Sequence, residues 1–294
     1  MGPFGNPIEV WRRRHWRADP QALAPYEGLR PFTVITGGSQ GIGLALARRF
    51  AAAGNDLLLV ARRNDPLREA ASRIRAESRV EVATAAIDVT ATDAIPALEA
   101  ALAARGGYAD VLVNSAGIGL AGRFDEQSPE ALLQLLDVNV RALTALTRHF
   151  LTGMRARGRG GVLNLASLGS YAPGPHQAAY YASKAYVLSL SEAVAAETAG
   201  EGVRVCALAP GPVETRFHDR MGAHGALYRS AVLLASAEAV ARAGYLGFVL
   251  GWRVTVPGLI NPFLALAMRV MPHRLVIPII GWLLQPRGQN SADA

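Results

Sequence analysis

The chain has 294 residues, 51% of them hydrophobic and 18% charged, with a formal net charge of +7. That is ample to bury the core of one α/β domain or two small ones, and it excludes a disordered chain. One cysteine, Cys206, excludes an intramolecular disulfide and fits a reducing compartment, and the arginines behind the charge are scattered, so no nucleic-acid partner is expected.

Residues 1–30 read as an N-terminal arm. It contains "WRRRHWR", but no apolar run follows its basic residues, so it does not read as a secretory signal. From residue 32 short apolar runs alternate with longer amphipathic ones. "FTVIT" (32–36), "DLLLVA" (56–61), "VEVATAAID" (80–88), "DVLVNSA" (110–116), "GGVLNLAS" (160–167) and "VRVCALAP" (203–210) read as strands. Several are apolar throughout, as a parallel sheet buried on both faces requires. Cys206 lies in the last of these and reads as a small core residue.

Helical patterns fall between the strands, at about 41–53, 65–78, 92–104, 128–156 and 177–200. A helix near 236–250 precedes a last short strand at 253–258. Such alternation predicts βαβ units and a Rossmann-type, doubly wound α/β sheet in a single domain, 31–258. The remainder, 259–294, belongs to no further βαβ unit and reads as an apolar C-terminal extension. Its longest apolar stretch, 258–284, is broken by Arg269, His273 and Arg274 and punctuated by Pro262, Pro272 and Pro278. That argues against a membrane-spanning helix.

The first strand ends in "TGGSQGIG", residues 36–43. Gly37, Gly41 and Gly43 stand where strand becomes helix. Glycine there permits a tight turn and close approach of backbone to a pyrophosphate at the helix N-terminus. Thr36, Ser39, Gln40 and Ile42 complete that loop. At the end of the second strand an acid would bind the adenosine ribose, but the sequence reads "LLLVARRND": Ala61 occupies the place, and Arg62 and Arg63 follow. A guanidinium suits a 2′-phosphate, so the expected cofactor is NADP(H). The plain alternative for both arginines is a solvated loop. Asp65, the competing acid, reads as a helix N-cap with Pro66 at the first helical position.

Lys184 is the only lysine beside 29 arginines, and it stands in "YYASKAYVLSL", 180–190. Tyr180 lies four residues before it, so the two share a helix face. A free tyrosine titrates near pH 10 and is a poor proton donor and acceptor at neutral pH. An ammonium nearby favours the phenolate and brings the group towards working pH. Tyr181, about 100° further round the helix, reads as a packing residue.

These motifs, in this order, resemble the short-chain dehydrogenase/reductase family over residues 32 to about 258. The match consists of the TGxxxGxG turn from Thr36 to Gly43; Asp88 with Val89, where the family contacts the adenine; and "NSAG", 114–117, in place of the family's NNAG. It continues with Ser167 thirteen residues before Tyr180, the YxxxK pair Tyr180–Lys184, and "APGPVET", 209–215. The resemblance implies a catalytic tetrad of Asn139, Ser167, Tyr180 and Lys184. It adds Asn114, Ala116, Gly117, Pro210, Gly211, Val213 and Thr215 as cofactor contacts, together with Tyr180 and Lys184 themselves. It implies hydride transfer between nicotinamide and a carbonyl or secondary alcohol, with Tyr180 giving the proton. Ser167 would steady the substrate oxygen, Lys184 would also bind the nicotinamide ribose, and Asn139 would hold a relay water. Asn139 alternatively caps a bent helix, and Thr215 alternatively caps a helix N-terminus. Ser170 fits the serine position less well than Ser167.

The resemblance further implies a homodimer or homotetramer built on the two long helices. His149, His176, His218 and His224 show no ligand spacing, so no metal site is expected. The substrate loop should cover about 216–230. The tail resembles that of a bacterial subgroup with an apolar extension. It is expected to cover a pocket for a large apolar ketone, such as a 3-oxoacyl, steroid-like or sphingoid compound. Two alternatives are that tail and arm rest on a membrane surface, or that the tail is core padding or a dimer interface. The expected location is cytoplasmic, with or without membrane contact. A non-catalytic NADP-binding regulator or scaffold on this fold is the competing class.

Overall fold

The computed structural model describes residues 20–222 and 234–285. Seven parallel strands form one sheet in the order β3-β2-β1-β4-β5-β6-β7. They are β1 (Arg30–Thr36), β2 (Asp56–Ala61), β3 (Val82–Ala86), β4 (Gly107–Asn114), β5 (Gly160–Leu165), β6 (Val203–Leu208) and the two-residue β7 (Val254–Thr255). The helices are α1 (Gly41–Ala52), α2 (Asn64–Glu77), α3 (Ala94–Ala103), α4 (Pro129–Leu136), α5 (Leu143–Ala156), α6 (Ala178–Glu197), α7 (Ala237–Leu250), α8 (Asn261–Val270) and α9 (His273–Leu284).

The apolar strands split their side chains between two cores by pleat. Ile35, Leu57, Leu59 and Val113 join the core with α1, α2 and α7, while Val34, Leu58, Val60 and Leu112 join the core with α3, α5 and α6. Fully burying one such side chain is worth about 1.5–3 kcal/mol, which explains why these runs carry no polar alternation. Cys206 is buried on β6.

Registers align the strand ends that matter. Thr36 of β1 pairs with Asn114 of β4, and Asn114 with Asn164 of β5. The order reverses between β1 and β4, which opens a crevice at their carboxyl ends, the position where such sheets bind ligands.

Several boundaries differ from those expected. The first strand begins at Arg30 and the fourth at Gly107, because their polar or glycine-bearing starts pair with each other, Arg30 with Gly107. The long pattern at 128–156 is not one α-helix: a π-helical segment, Asp137–Ala142, separates α4 from α5. Helix α2 starts at Asn64, so Asp65 lies in its first turn and Arg63 holds the N-cap position without a side-chain cap. Pro278 sits inside α9 and does not end it, whereas Pro262 occupies the first turn of α8, where a missing N–H is harmless. The end of the arm is tied down: Tyr26 packs on Tyr108 with ring centroids 4.9 Å apart, and the Arg157 guanidinium lies over both rings.

Candidate active site

The glycine turn closes the carboxyl end of β1. Gly37 and Gly41 have φ of +67° and +55°, a region side-chain-bearing residues avoid. A β-carbon on Gly37 would stand 2.9 Å from the Ala116 nitrogen, so only glycine lets the turn lie against the "NSAG" strand end. Helix α1 starts with no side-chain cap from Gln40 and no acid in its first turn, which leaves its N–H groups facing the crevice for an anion. Thr36 locks the two loops together, its Oγ1 accepting from Ser115 N at 3.2 Å and Ala116 N at 3.1 Å. Ser39, Gln40 and Ile42 lie on this turn, and the methyl of Thr215 would touch a β-carbon on Gly41 at 3.4 Å. The segment after β6 therefore reaches the glycine turn. Thr215 also accepts from Phe217 N at 3.4 Å, but it stands one residue before the N-cap position, which Arg216 holds without a side-chain cap.

Arg62 and Arg63 are exposed just beyond β2. Arg62 lies within electrostatic reach of Asp88. Burial opposes ionisation of Asp88, but hydrogen bonds from the Thr90 backbone and hydroxyl, with the Arg62 charge, hold its carboxyl below the usual range. Val89 follows Asp88 beside it. A basic residue and a fixed carboxylate thus sit together at the β2–β3 end of the crevice.

Asn114 stands at the end of β4. Its amide is buried and donates to Thr147 Oγ1 at 3.0 Å and to Asn164 Oδ1 at 2.9 Å, and Asn164 in turn donates to Ser191. It ties β4 to β5 and α5, so its side chain supports the crevice floor and does not line it. Ala116 and Gly117 form the adjacent wall. A β-carbon on Gly117 would lie 3.3 Å from Asn139 Oδ1 and 3.6 Å from Lys184 Nζ, so the glycine lets the loop backbone pass close to both side chains.

Asn139, Ser167, Tyr180 and Lys184 converge at the ends of β4 and β5. Lys184 is buried and its Nζ donates to the Leu165 carbonyl at 2.7 Å. The same Nζ lies 5.9 Å from the Tyr180 ring centroid. Burial pushes the lysine down to about 8. Asn139 sits in the π segment, its Oδ1 accepting from Ile118 N at 2.9 Å and its Nδ2 donating to Ile118 O at 2.8 Å and to Ser183 Oγ at 3.1 Å. The amide is fully engaged, so it clamps the loop after β4 to α6.

Ser167 accepts from Gly169 N at 3.1 Å, which fixes its hydroxyl beside the tyrosine helix. Ser170, the less favoured serine, has its own task. Its Oγ accepts from Ser167 N at 3.2 Å and donates to the Lys184 carbonyl at 2.8 Å, joining the serine strand to the lysine helix. Sequence spacing gave no sign of this bridge. Tyr181 packs edge-on to Tyr180, 6.1 Å between centroids, and its ring fills the space left by Gly169 and Gly174. It is a packing residue.

Pro210 accepts from Leu168 N at 2.7 Å, which sets the segment after β6 against the Ser167 turn. Gly211 lies against Asn261 at the start of α8, and Val213 is buried with a bridge to Ala235. Of the expected substrate loop, 216–222 is described and 223–230 lies outside the described residues. The short turn Phe217–Arg220 puts Phe217 5.6 Å from the Tyr180 ring. Arg220 donates to Gln40 Oε1 at 2.8 Å, which links the substrate loop to the phosphate turn. In the tail, Val276, Ile280 and Leu284 of α9 pack with Met221 and Ala172, and Tyr181, Phe217 and Met268 border the cluster.

Among the described residues no group of three or more His, Cys, Asp or Glu could hold a metal, and no helix is long and apolar enough to cross a membrane. A nicotinamide crevice, a Ser–Tyr–Lys cluster at its inner end and a seven-stranded parallel sheet define a class of oxidoreductase. The family model for short chain dehydrogenases matches residues 31–224, and the chain belongs to that family. A curated relative, the 3beta-hydroxysteroid dehydrogenase 1 of Eggerthella lenta, is 38% identical over 195 residues, covering 65% of this chain and 74% of its own. A short-chain dehydrogenase from Sphingobium yanoikuyae solved with NADPH is 33% identical with a TM-score of 0.71, covering 78% of this chain and 88% of that one. A 3-ketoacyl-(acyl-carrier-protein) reductase from Brucella melitensis solved with NADH is 29% identical with a TM-score of 0.66, covering 74% and 90%.

Proposed function

We propose that the protein is an NADP(H)-dependent reductase of large apolar ketones, with Tyr180 as the proton donor. The observation that carries this reading is the buried Lys184 ammonium, held by the Leu165 carbonyl at 2.7 Å with its Nζ 5.9 Å from the Tyr180 ring centroid. The bound nicotinamide supplies or accepts a hydride at the carbonyl carbon. The protein supplies the rest. Ser167, fixed by Gly169, donates to the substrate oxygen as charge develops there. Tyr180 then protonates that oxygen, and the Lys184 charge favours the phenolate left behind. Lys184 also has the reach to bind a ribose hydroxyl above it. Asn139 holds the α4–α5 bend and the Ile118 loop in place.

The choice of NADP(H) rests on Arg62 beside Asp88 and on Ala61 at the acid position. The NADPH of the Sphingobium structure agrees with it, while the NADH of the Brucella structure illustrates that the family uses both. The apolar substrate class rests on the walls of the mouth, Phe217, Met221 and the inner face of α9, and the steroid and ketoacyl relatives fit it. The protein is expected to act in the cytoplasm as a dimer or tetramer.

The test is NADPH oxidation against a panel of ketones of rising size, from acetoacetyl esters to long-chain 3-oxoacyl and 3-oxosteroid compounds. Turnover that improves with apolar size supports the reading. Absence of turnover with every member, by protein that quenches NADPH fluorescence, overturns it in favour of a non-catalytic binder.

A further inference from the structure

Helices α8 and α9 bury one face and leave the other bare. In α9, Val276, Ile280 and Leu284, at i, i+4 and i+8, face the site mouth. Leu275, Ile279 and Trp282, at i, i+4 and i+7, face solvent, with Trp282 60% exposed. In α8, Phe263, Leu266 and Val270 share the outer face, and Phe263 is 73% exposed. Leu259 and Ile260, just before that helix, are also exposed, Leu259 at 93%. Monomeric soluble proteins rarely present so many large apolar side chains in one segment, and such faces mark a partner.

The charge of the segment selects among partners. Between Glu238 and Asp293 there is no acidic residue, while Arg242, Arg253, Arg269, Arg274 and Arg287 fall in that stretch. Arg274 belongs to α9 and is exposed, while Arg269 of α8 is exposed and reaches Glu192 of α6 at 3.8 Å. A second copy docked here about a twofold axis would bring together two arginine-bearing faces whose own helices carry no acid, the nearest being Glu192 already paired with Arg269, which opposes association. An anionic headgroup layer complements the same face, with the arginines at the phosphates and Trp282 at the interface. Neither helix can span: 10 and 12 residues reach about 15 to 18 Å against a hydrocarbon core of about 30 Å.

We propose that the outer face of α8 and α9 seats the protein on the surface of an anionic membrane, lying in the interface plane. Resting on the reductase reading, this names the source of the substrate: an apolar ketone dissolved in the bilayer, delivered beneath the helices whose inner faces border the site. The seat itself does not depend on catalysis.

The experiment uses full-length protein and sedimentation with vesicles of phosphatidylcholine alone or with 30% phosphatidylglycerol. Binding is expected to the anionic vesicles, with affinity at least tenfold weaker to the neutral ones and reduced at high salt. The triple variant Phe263→Gln, Leu266→Gln, Trp282→Gln is expected to lose at least tenfold in affinity. Its oligomeric state by light scattering and its reduction of a small water-soluble ketone should stay unchanged. A wild-type protein that ignores anionic vesicles overturns the proposal, as does a triple variant that binds as well as wild type. A triple variant that changes from oligomer to monomer also overturns it and assigns the face to a second copy. Because sedimentation needs no turnover, loss of the reductase reading leaves the membrane seat standing, and the reverse.

Discussion

Lys184 Nζ lies 2.7 Å from the main-chain oxygen of Leu165, at the point where β5 ends under the tyrosine helix. That contact orients the one lysine of the chain, and burial lowers its proton affinity to about 8 from 10.5. The sign of the consequence is fixed by linkage. Between pH 8 and 10.5 the unfolded chain keeps this proton and the folded one does not, so the lysine makes the apo protein more stable as pH rises through that window. The change is on the order of 2 to 3 kcal/mol at most. Denaturant unfolding of wild type and Lys184→Met at pH 7.5 and 10 checks it. The stability difference between the two proteins should shift towards wild type at the higher pH. A difference independent of pH would mean that the lysine is not desolvated as the fold implies.

Lys184→Arg is expected to lower kcat by at least a hundredfold. A planar guanidinium cannot make the Leu165 contact in a buried pocket where the Gly117 backbone already passes close to the lysine Nζ. Folding should survive, so the variant is compared by melting temperature and by steady-state turnover with NADPH. Near-wild-type turnover would remove the explanation for a lone lysine among 29 arginines.

The two adjacent tyrosines should separate cleanly. Tyr180→Phe removes the proton donor and is expected to cost about three orders of magnitude in kcat while leaving NADPH affinity within a few-fold. Tyr181→Phe keeps the ring that fills the Gly169 and Gly174 space and should stay within a few-fold of wild type in kcat. The reverse ranking would reassign the acid.

The sheet was legible because its strands are apolar on both faces, a pattern that only a helix-covered parallel sheet produces. The cluster was legible because Ser167, Tyr180 and Lys184 are joined by spacing along one strand–helix unit. Ser170 and Ser183 were not, because their roles depend on carbonyls, of Lys184 and Tyr180, that sequence does not mark. The buried bonds of Asn114 were unmarked for a similar reason: its partners Thr147 and Asn164 come from other elements. The π segment escaped because 137–142 lies between two amphipathic helical runs and six residues are too few to show a period of their own; within it Asn139 holds Ile118. Pro278 misled in the opposite sense, since packing of α9 on the site mouth outweighs its break in the helix ladder.

Arg62→Ala is expected to weaken NADPH binding tenfold to a hundredfold and to leave NADH binding within about twofold, since only the former has a 2′-phosphate. Fluorescence-quench titration of both cofactors measures it. Arg63→Ala should have the smaller effect, because that residue occupies the helix N-cap position beyond the strand. Equal losses for both cofactors would show that Arg62 acts on the fold or on Asp88 and not on the phosphate.

Ile280 tests the roof over the site mouth. It is buried in the cluster that α9 forms with Met221 and Ala172, beside Phe217, which itself lies 5.6 Å from Tyr180. Ile280→Ala shortens the roof without adding a polar group. If the tail shapes the pocket, KM for a long apolar ketone should rise about tenfold while kcat with a small ketone stays within twofold, because the proton donor and the lysine are untouched. If the tail merely pads the core, the variant should lower the melting temperature by several degrees and move the two substrates alike. Only the first outcome, a change in substrate discrimination beyond any change in stability, assigns α9 to the pocket.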